Sequence, residues 1–168
     1  EAPESSESRS GTAAPALEAA YVRKSGEEDI YPRWPWWWPV RLARSGFLEF
    51  ISQPLTRFLA APKVERPNDF HPAGPVLLIA NHVTAYDVPL ILYALPGRMR
   101  RRVAAAMAGD MLRDFRHMRN LGPAGLDYLG PGAYVLITGL FNAFPLPRSA
   151  GFRRSFQHAG EALDRGYT

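Results

Sequence analysis

His82 and Asp87 are the residues of this 168-residue chain whose types and spacing could do chemistry. They lie in the run Asn81-His82-Val83-Thr84-Ala85-Tyr86-Asp87. An imidazole titrates near neutral pH and can take a proton from a hydroxyl. A carboxylate at position 87, at the start of a helix, can fold back and accept the other imidazole N–H. That contact sets the tautomer and stabilises the imidazolium. A substrate hydroxyl can then serve as the nucleophile, with no serine required from the chain. A plainer account stays open, because His-x4-Asp also arises by chance and a histidine after a strand often makes ordinary turn hydrogen bonds. Metal binding has less behind it, since nothing nearby adds a third ligand at a known spacing.

The elements around this pair follow from hydrophobic patterning. Pro75 to Ala80 is a short apolar run bounded by Gly74 and Asn81, which predicts a buried strand. Loops at the carboxyl ends of such strands are where α/β sheets place ligands. A helix follows from Asp87, with Asp87 as N-cap and Pro89 in the first turn, and stops at Pro96-Gly97. Val103–Ala108 and Phe141–Leu146 read as further strands, and residues 110–118 as a helix. Gly151–Arg165 reads as a helix closed by Gly166. Strands alternating with helices imply an α/β domain, a central and mostly parallel sheet flanked by helices.

The block from Gly74 through Asn81-His82-x4-Asp87-Val88-Pro89 resembles the first signature of the glycerolipid acyltransferase family. The resemblance implies that His82 is the general base on an acceptor hydroxyl and that Asp87 supports it. It also implies substrate contacts at Asn81 and at Thr84, where many members carry serine. Phe144-Pro145-Leu146-Pro147-Arg148 is similar to the family's second block, an apolar strand ending in an arginine that holds the acceptor phosphate. Guanidinium pairs with phosphate in a bidentate way, so Arg148 suits that role; an ordinary surface arginine ending a strand is the alternative. The resemblance spans roughly residues 72–168. The family's later Phe-Pro-Glu-Gly block is absent, which implies an incomplete catalytic domain that is inactive as this stretch alone. Its acyl donor would be acyl-CoA or an acyl carrier protein, used as a substrate with no resident cofactor.

Charge divides the chain. Residues 1–33 carry four basic groups against seven acids, a net of −3, and are rich in Ser, Ala, Gly and Glu. They read as a disordered acidic linker, compatible with an upstream fused domain. Residues 34–168 net +7, which points to an anionic partner. Arg98, Arg100, Arg101, Arg102, Arg113, Arg116 and Arg119 form a basic belt. No recognised DNA-binding pattern accompanies it, so nucleic acid is not expected. Residues 34–62 hold all four tryptophans and then a helix over about Val40 to Leu59, kinked at Pro54. Leu48, Ile51, Leu55, Phe58 and Leu59 fall near one face of that helix, giving an N-terminal amphipathic segment. Tryptophan and arginine together suit a membrane interface carrying anionic lipid, on the cytoplasmic side; burial in the domain's own core is the alternative for the tryptophans.

Residues 63–168 would then be the first part of the catalytic domain. Positions 128–147 carry no charge and could span a bilayer by length, but three prolines and three glycines suit a broken or buried segment better. Without cysteine, disulfides and thiolate metal sites are excluded. No secretion signal stands at the amino end, and a first residue other than Met suggests a piece of a longer chain. The leading function is acyl transfer in phospholipid synthesis. A non-enzymatic lipid-binding or membrane-tethering module competes with it. A hydrolase using the same pair is a third reading, without the Gly-x-Ser-x-Gly elbow that would favour it.

Overall fold

The computed structural model describes residues 29–67, 70, 72, 74, 76–81, 86–119, 127–148 and 151–168. The fold mixes helices with a pair of parallel strands, consistent at that level with the α/β class expected from the sequence.

The tryptophan cluster does not behave as one unit. Pro35 sits in the first turn of a 3-10 helix, Trp34–Trp36, and Pro39 in the first turn of α1, Trp38–Phe47. Both positions lack a helical partner for their N–H, so proline is accepted there. Trp36 is buried and stacks on His158, with ring centroids 4.8 Å apart. The Trp34 ring lies against Gly139, where an added Cβ would stand 3.2 Å from it. Trp37 and Trp38 are exposed.

Past α1 the chain forms a π-helical turn, Leu48–Ser52, and continues as α2, Gln53–Ala60. The expected helix is therefore present, but its irregularity precedes Pro54, which occupies the first turn of α2. A π turn holds more residues than an α turn and so rotates the side chains of α2 about the helix axis. Leu48 is buried, whereas Ile51, Leu55, Phe58 and Leu59 are exposed, Phe58 at 85%. The single apolar face predicted from the periodicity is thus two faces.

Helix α3, Asp87–Ala94, ends as Leu95 turns extended ahead of Pro96. The short α4, Gly97–Arg100, follows. Arg100, expected in a solvated belt, is buried: its guanidinium donates to the Leu95 carbonyl at 3.2 Å and pairs with Glu49 at 3.0 Å. It satisfies an end of α3 and ties it to the π turn.

Strand β1, Ala105–Ala108, leads into α5, Gly109–His117; α6, Gly130–Phe141, leads into β2, Ala143–Leu146. The strands pair in parallel, Ala105 opposite Ala143. Asn142 makes this junction. It ends α6 in the left-handed region, φ 51°, a conformation asparagine tolerates. Its carbonyl accepts the Ala105 N–H at 3.2 Å, and its side-chain amide donates to the Val103 carbonyl.

The outer edge of β2 is closed, because Pro145 has no N–H and its carbonyl accepts the buried Ser155 hydroxyl at 2.9 Å. The other edge of β1 is met at Thr168, whose N–H donates to Arg102 and whose carbonyl accepts from Ala104, both at 2.7 Å. That pattern sets Thr168 in parallel register beside Val103.

Helix α7, Arg153–Asp164, packs on β2. It closes with Gly166 at φ 75°, as expected from the sequence: Gly166 N–H donates to Leu163 and Tyr167 N–H to Ala162. Trp36, Ala162 and Tyr167 form one buried cluster, with Ala104 against it. Leu48, Leu92 and Leu95 form another, with Phe47, Val103 and Phe141 against it. Adjacent residues 103 and 104 thus serve different clusters, as opposite faces of extended chain should.

One predicted strand is missing. Residues 76–80 carry no strand pairing, and Leu77 and Ile79 are 80% and 88% exposed. A buried strand needs neighbours for its backbone and cover for both faces, and neither is supplied to this run among the described residues. The uncharged stretch 128–147 is divided between α6 and β2, and among the described residues no helix is long and apolar enough to cross a membrane.

Arg44 joins α1 to the remainder. Its guanidinium is buried and donates to the Gly139 carbonyl at 2.9 Å and the Pro35 carbonyl at 2.7 Å. Burial pushes its pKa below the usual arginine range, with the Tyr167 hydroxyl beside it acting the other way. Arg44→Met leaves two buried carbonyls without donors and should lower unfolding free energy by about 3 kcal/mol in urea titration. Arg44→Lys should recover only part of this, because an ammonium cannot reproduce the planar fork.

His158 is buried between Trp36, Tyr31 and Phe144. Desolvation lowers its pKa; Glu161 opposes the shift and Arg33 adds to it. The unfolded chain therefore binds this proton more readily than the folded one. Stability from this group should be complete above pH ~6.5 and fall as pH drops below it. Melting curves between pH 8 and 5 check this, and His158→Phe should flatten that part of the profile.

Candidate active site at the carboxyl ends of the strands

The carboxyl ends of β1 and β2 gather charged side chains from three parts of the chain. Asp110 stands in the first turn of α5, directly after β1, where the helix dipole favours a carboxylate. Arg148 follows β2 by two positions. Parallel pairing sets these ends side by side, and the Arg148 guanidinium meets the Asp110 carboxylate at 3.1 Å. The Arg148 side chain is 74% open to solvent, whereas Asp110 is half-buried, with its Oδ1 out of reach of water. Such a pair contributes little to stability and can exchange partners.

Asp29 completes the cluster from the amino-terminal side. Its carboxylate is buried against Gly109, where an added Cβ would lie 2.9 Å from Oδ2, and it pairs with Arg113 at 3.3 Å. Tyr31 shares a hydrogen bond with Ser155 at 2.9 Å, and Arg33 pairs with Glu161 at 2.7 Å. Desolvation raises the Tyr31 pKa, with the Ser155 hydrogen bond opposing it. Residues 29–33, expected from composition to belong to the linker, are anchored by one carboxylate, one phenol and one guanidinium. Composition could not show this, since the segment is as polar as the residues ahead of it.

Of the residues singled out from the sequence, Arg148 lies in this cluster. Asp87 is half-buried in the first turn of α3, and Asn81 is exposed at the end of the unpaired run. Asp87 is not the N-cap that the sequence suggested. That position falls to Tyr86, whose backbone is helical and whose side chain makes no capping bond. His82 and Thr84 lie outside the described residues, as do Val83 and Ala85. Asp29 and Asp110 were missed, although Gly109-Asp110 at a strand-to-helix junction is a readable signal for the second. Among the described residues, no group of three or more His, Cys, Asp or Glu is placed to hold a metal ion.

No protein family, curated protein or solved structure matches this chain.

The fit of Asp29 over Gly109 gives a direct test. Gly109→Ala should destabilise the protein by about 1–2 kcal/mol by forcing the buried carboxylate aside. In an Asp29→Ala background the same change should lose most of its effect, a coupling that a double-mutant cycle of chemical denaturation measures.

Proposed function

We propose that the protein transfers a fatty acyl group from acyl-CoA or an acyl carrier protein to the hydroxyl of glycerol-3-phosphate or lysophosphatidic acid, at the cytoplasmic surface of a membrane. The observation that carries this reading is the Asn81-His82-x4-Asp87 spacing, with Asp87 opening helix α3 after an apolar run. In this reading His82 takes the proton of the acceptor hydroxyl as its oxygen attacks the thioester carbonyl. The tetrahedral intermediate then collapses and expels the thiolate, which receives the proton from the imidazolium. Asp87 orients the imidazole, and Asn81 and Thr84 contact substrate.

Arg148 would hold the acceptor phosphate by exchanging Asp110 for it, which its exposure and single-point pairing favour. The β1–β2 pair would belong to a larger, mostly parallel sheet, a reading supported by the parallel register that Thr168 holds beside Val103, just ahead of β1. An acyl-activating domain fused upstream would supply the thioester.

A second reading, a lipid-binding or membrane-tethering module without catalysis, has its own support. Trp38, Leu42, Phe50, Ile51 and Phe58 are all exposed on one continuous helical segment, and Trp37 is exposed just ahead of it. Such a segment can sit in a membrane interface whatever His82 does.

Thioester-dependent acyl transfer to both acceptors, measured on the full natural chain beside His82→Ala, decides between them. Loss of at least about 100-fold in the variant, with vesicle binding retained, is the expected result. Equal transfer by both proteins, or none by either while vesicles are still bound, would leave the tethering module as the better account.

A further inference from the structure

An open cleft of about 900 Å³ lies beside α1, away from the charged cluster at the strand ends. Its lining includes Arg41, Arg98, Arg101 and Arg102, together with Trp38 and Leu42, and among the described residues no acidic side chain. Arg101 is engaged by Glu49 at 3.1 Å; among the described residues no carboxylate pairs with Arg41, Arg98 or Arg102. Trp38, Arg41, Leu42 and Ser45 all contribute from α1, at the i, i+3, i+4, i+7 spacing of one helical face. That face therefore presents guanidinium and apolar groups to the same space.

We propose that this cleft is a headgroup site for a phosphate-bearing anionic lipid of the membrane. The phosphate would lie among Arg41, Arg98 and Arg102, and Trp38 and Leu42 would lie against the upper part of the acyl chains. The chemistry of the walls selects this occupant. Arg41, Arg98 and Arg102, facing one space with no counter-charge among the described residues, suit a phosphate, which each guanidinium can meet with two parallel N–H bonds. Trp38 and Leu42 are 74% and 66% exposed, and the helical segment they belong to continues into exposed Phe50, Ile51 and Phe58. A soluble anion would leave that apolar surface in water. A lipid covers it, with tryptophan at the depth it favours. Arg100, next in sequence to this group, is withdrawn from it by Glu49 and the Leu95 carbonyl, so the site is a selected subset of the arginine run. The inference rests on the membrane-surface part of the proposed function and not on acyl transfer.

Sedimentation with vesicles of phosphatidylcholine alone, phosphatidylcholine with phosphatidic acid, and phosphatidylcholine with oleate tests it without any acyl donor. The wild-type protein should bind phosphatidic acid vesicles best. The double variant Arg98→Gln/Arg102→Gln should bind them about tenfold more weakly while keeping its affinity for phosphatidylcholine. A matched pair outside the cleft, Arg116→Gln/Arg119→Gln, should change binding little, and circular dichroism confirms that both variants fold. Equal losses in the two variants would show a general charge effect and overturn the site. So would equal binding to phosphatidic acid and oleate vesicles, or release of bound protein by millimolar inorganic phosphate, which would identify a free-anion site. Failure to bind any vesicle would sink the membrane reading itself, an outcome distinct from binding all three alike, which removes the headgroup site alone.

Discussion

A guanidinium removed from water is the constraint on which the arrangement turns. Arg44 reaches the Pro35 carbonyl in the tryptophan turn and the Gly139 carbonyl in α6. A buried cation must be compensated at several points, because desolvation penalises its charge and any missing partner adds to that penalty. The geometry that supplies the partners also fixes its surroundings. Trp34 closes over Gly139, and Trp36 turns inward to His158 and Tyr167. With the amino-terminal turn, α1 and α6 held together, Asn142 is set to begin the parallel ladder.

The π turn at Leu48–Ser52 decides how that framework meets its environment. On one side Leu48 joins Leu92 and Leu95 in the core; on the other, the apolar side chains of α2 are left outward. The cost of exposing them in water is the physical ground for proposing a lipid interface for this segment. Glu49, in the same turn, draws Arg100 and Arg101 toward the protein. The carboxylate of this turn therefore holds Arg100 inside the protein and pairs with Arg101 at the cleft wall, while Arg41, Arg98 and Arg102 face the cleft without a carboxylate among the described residues.

At the carboxyl ends of the strands, charge is arranged by the sheet. Two parallel strands bring Asp110 and Arg148 into contact although 37 residues separate them. Gly109 leaves room for Asp29, so the polar amino-terminal segment is held where α/β folds place ligands. The Asp110–Arg148 pair and the buried Asp29–Arg113 pair differ in what they offer. The first leaves the Arg148 guanidinium open to solvent, and the second anchors structure.

Local signals were legible in the sequence wherever a single segment carried the physics. Apolar periodicity beyond Pro39, glycine after a helix, and apolar runs before and after Arg113 were sufficient to place the helical stretch Trp38–Ala60, α7, β1 and β2 within a few residues. The His82–Asp87 spacing and its family resemblance likewise belong to one short run, and so does the aspartate at the start of α3. Properties that depend on partners distant in the chain were not available to that reading. Val76–Ala80 has the composition of a buried strand, but composition cannot supply the neighbour whose backbone would pair with it. Whether Trp36 is core and Trp38 surface, whether Arg100 is structural and Arg102 is not, and that Asp29 belongs to the body were decided by tertiary structure alone. Burial and charge pairing are relations between segments, and only the folded chain specifies which segments meet.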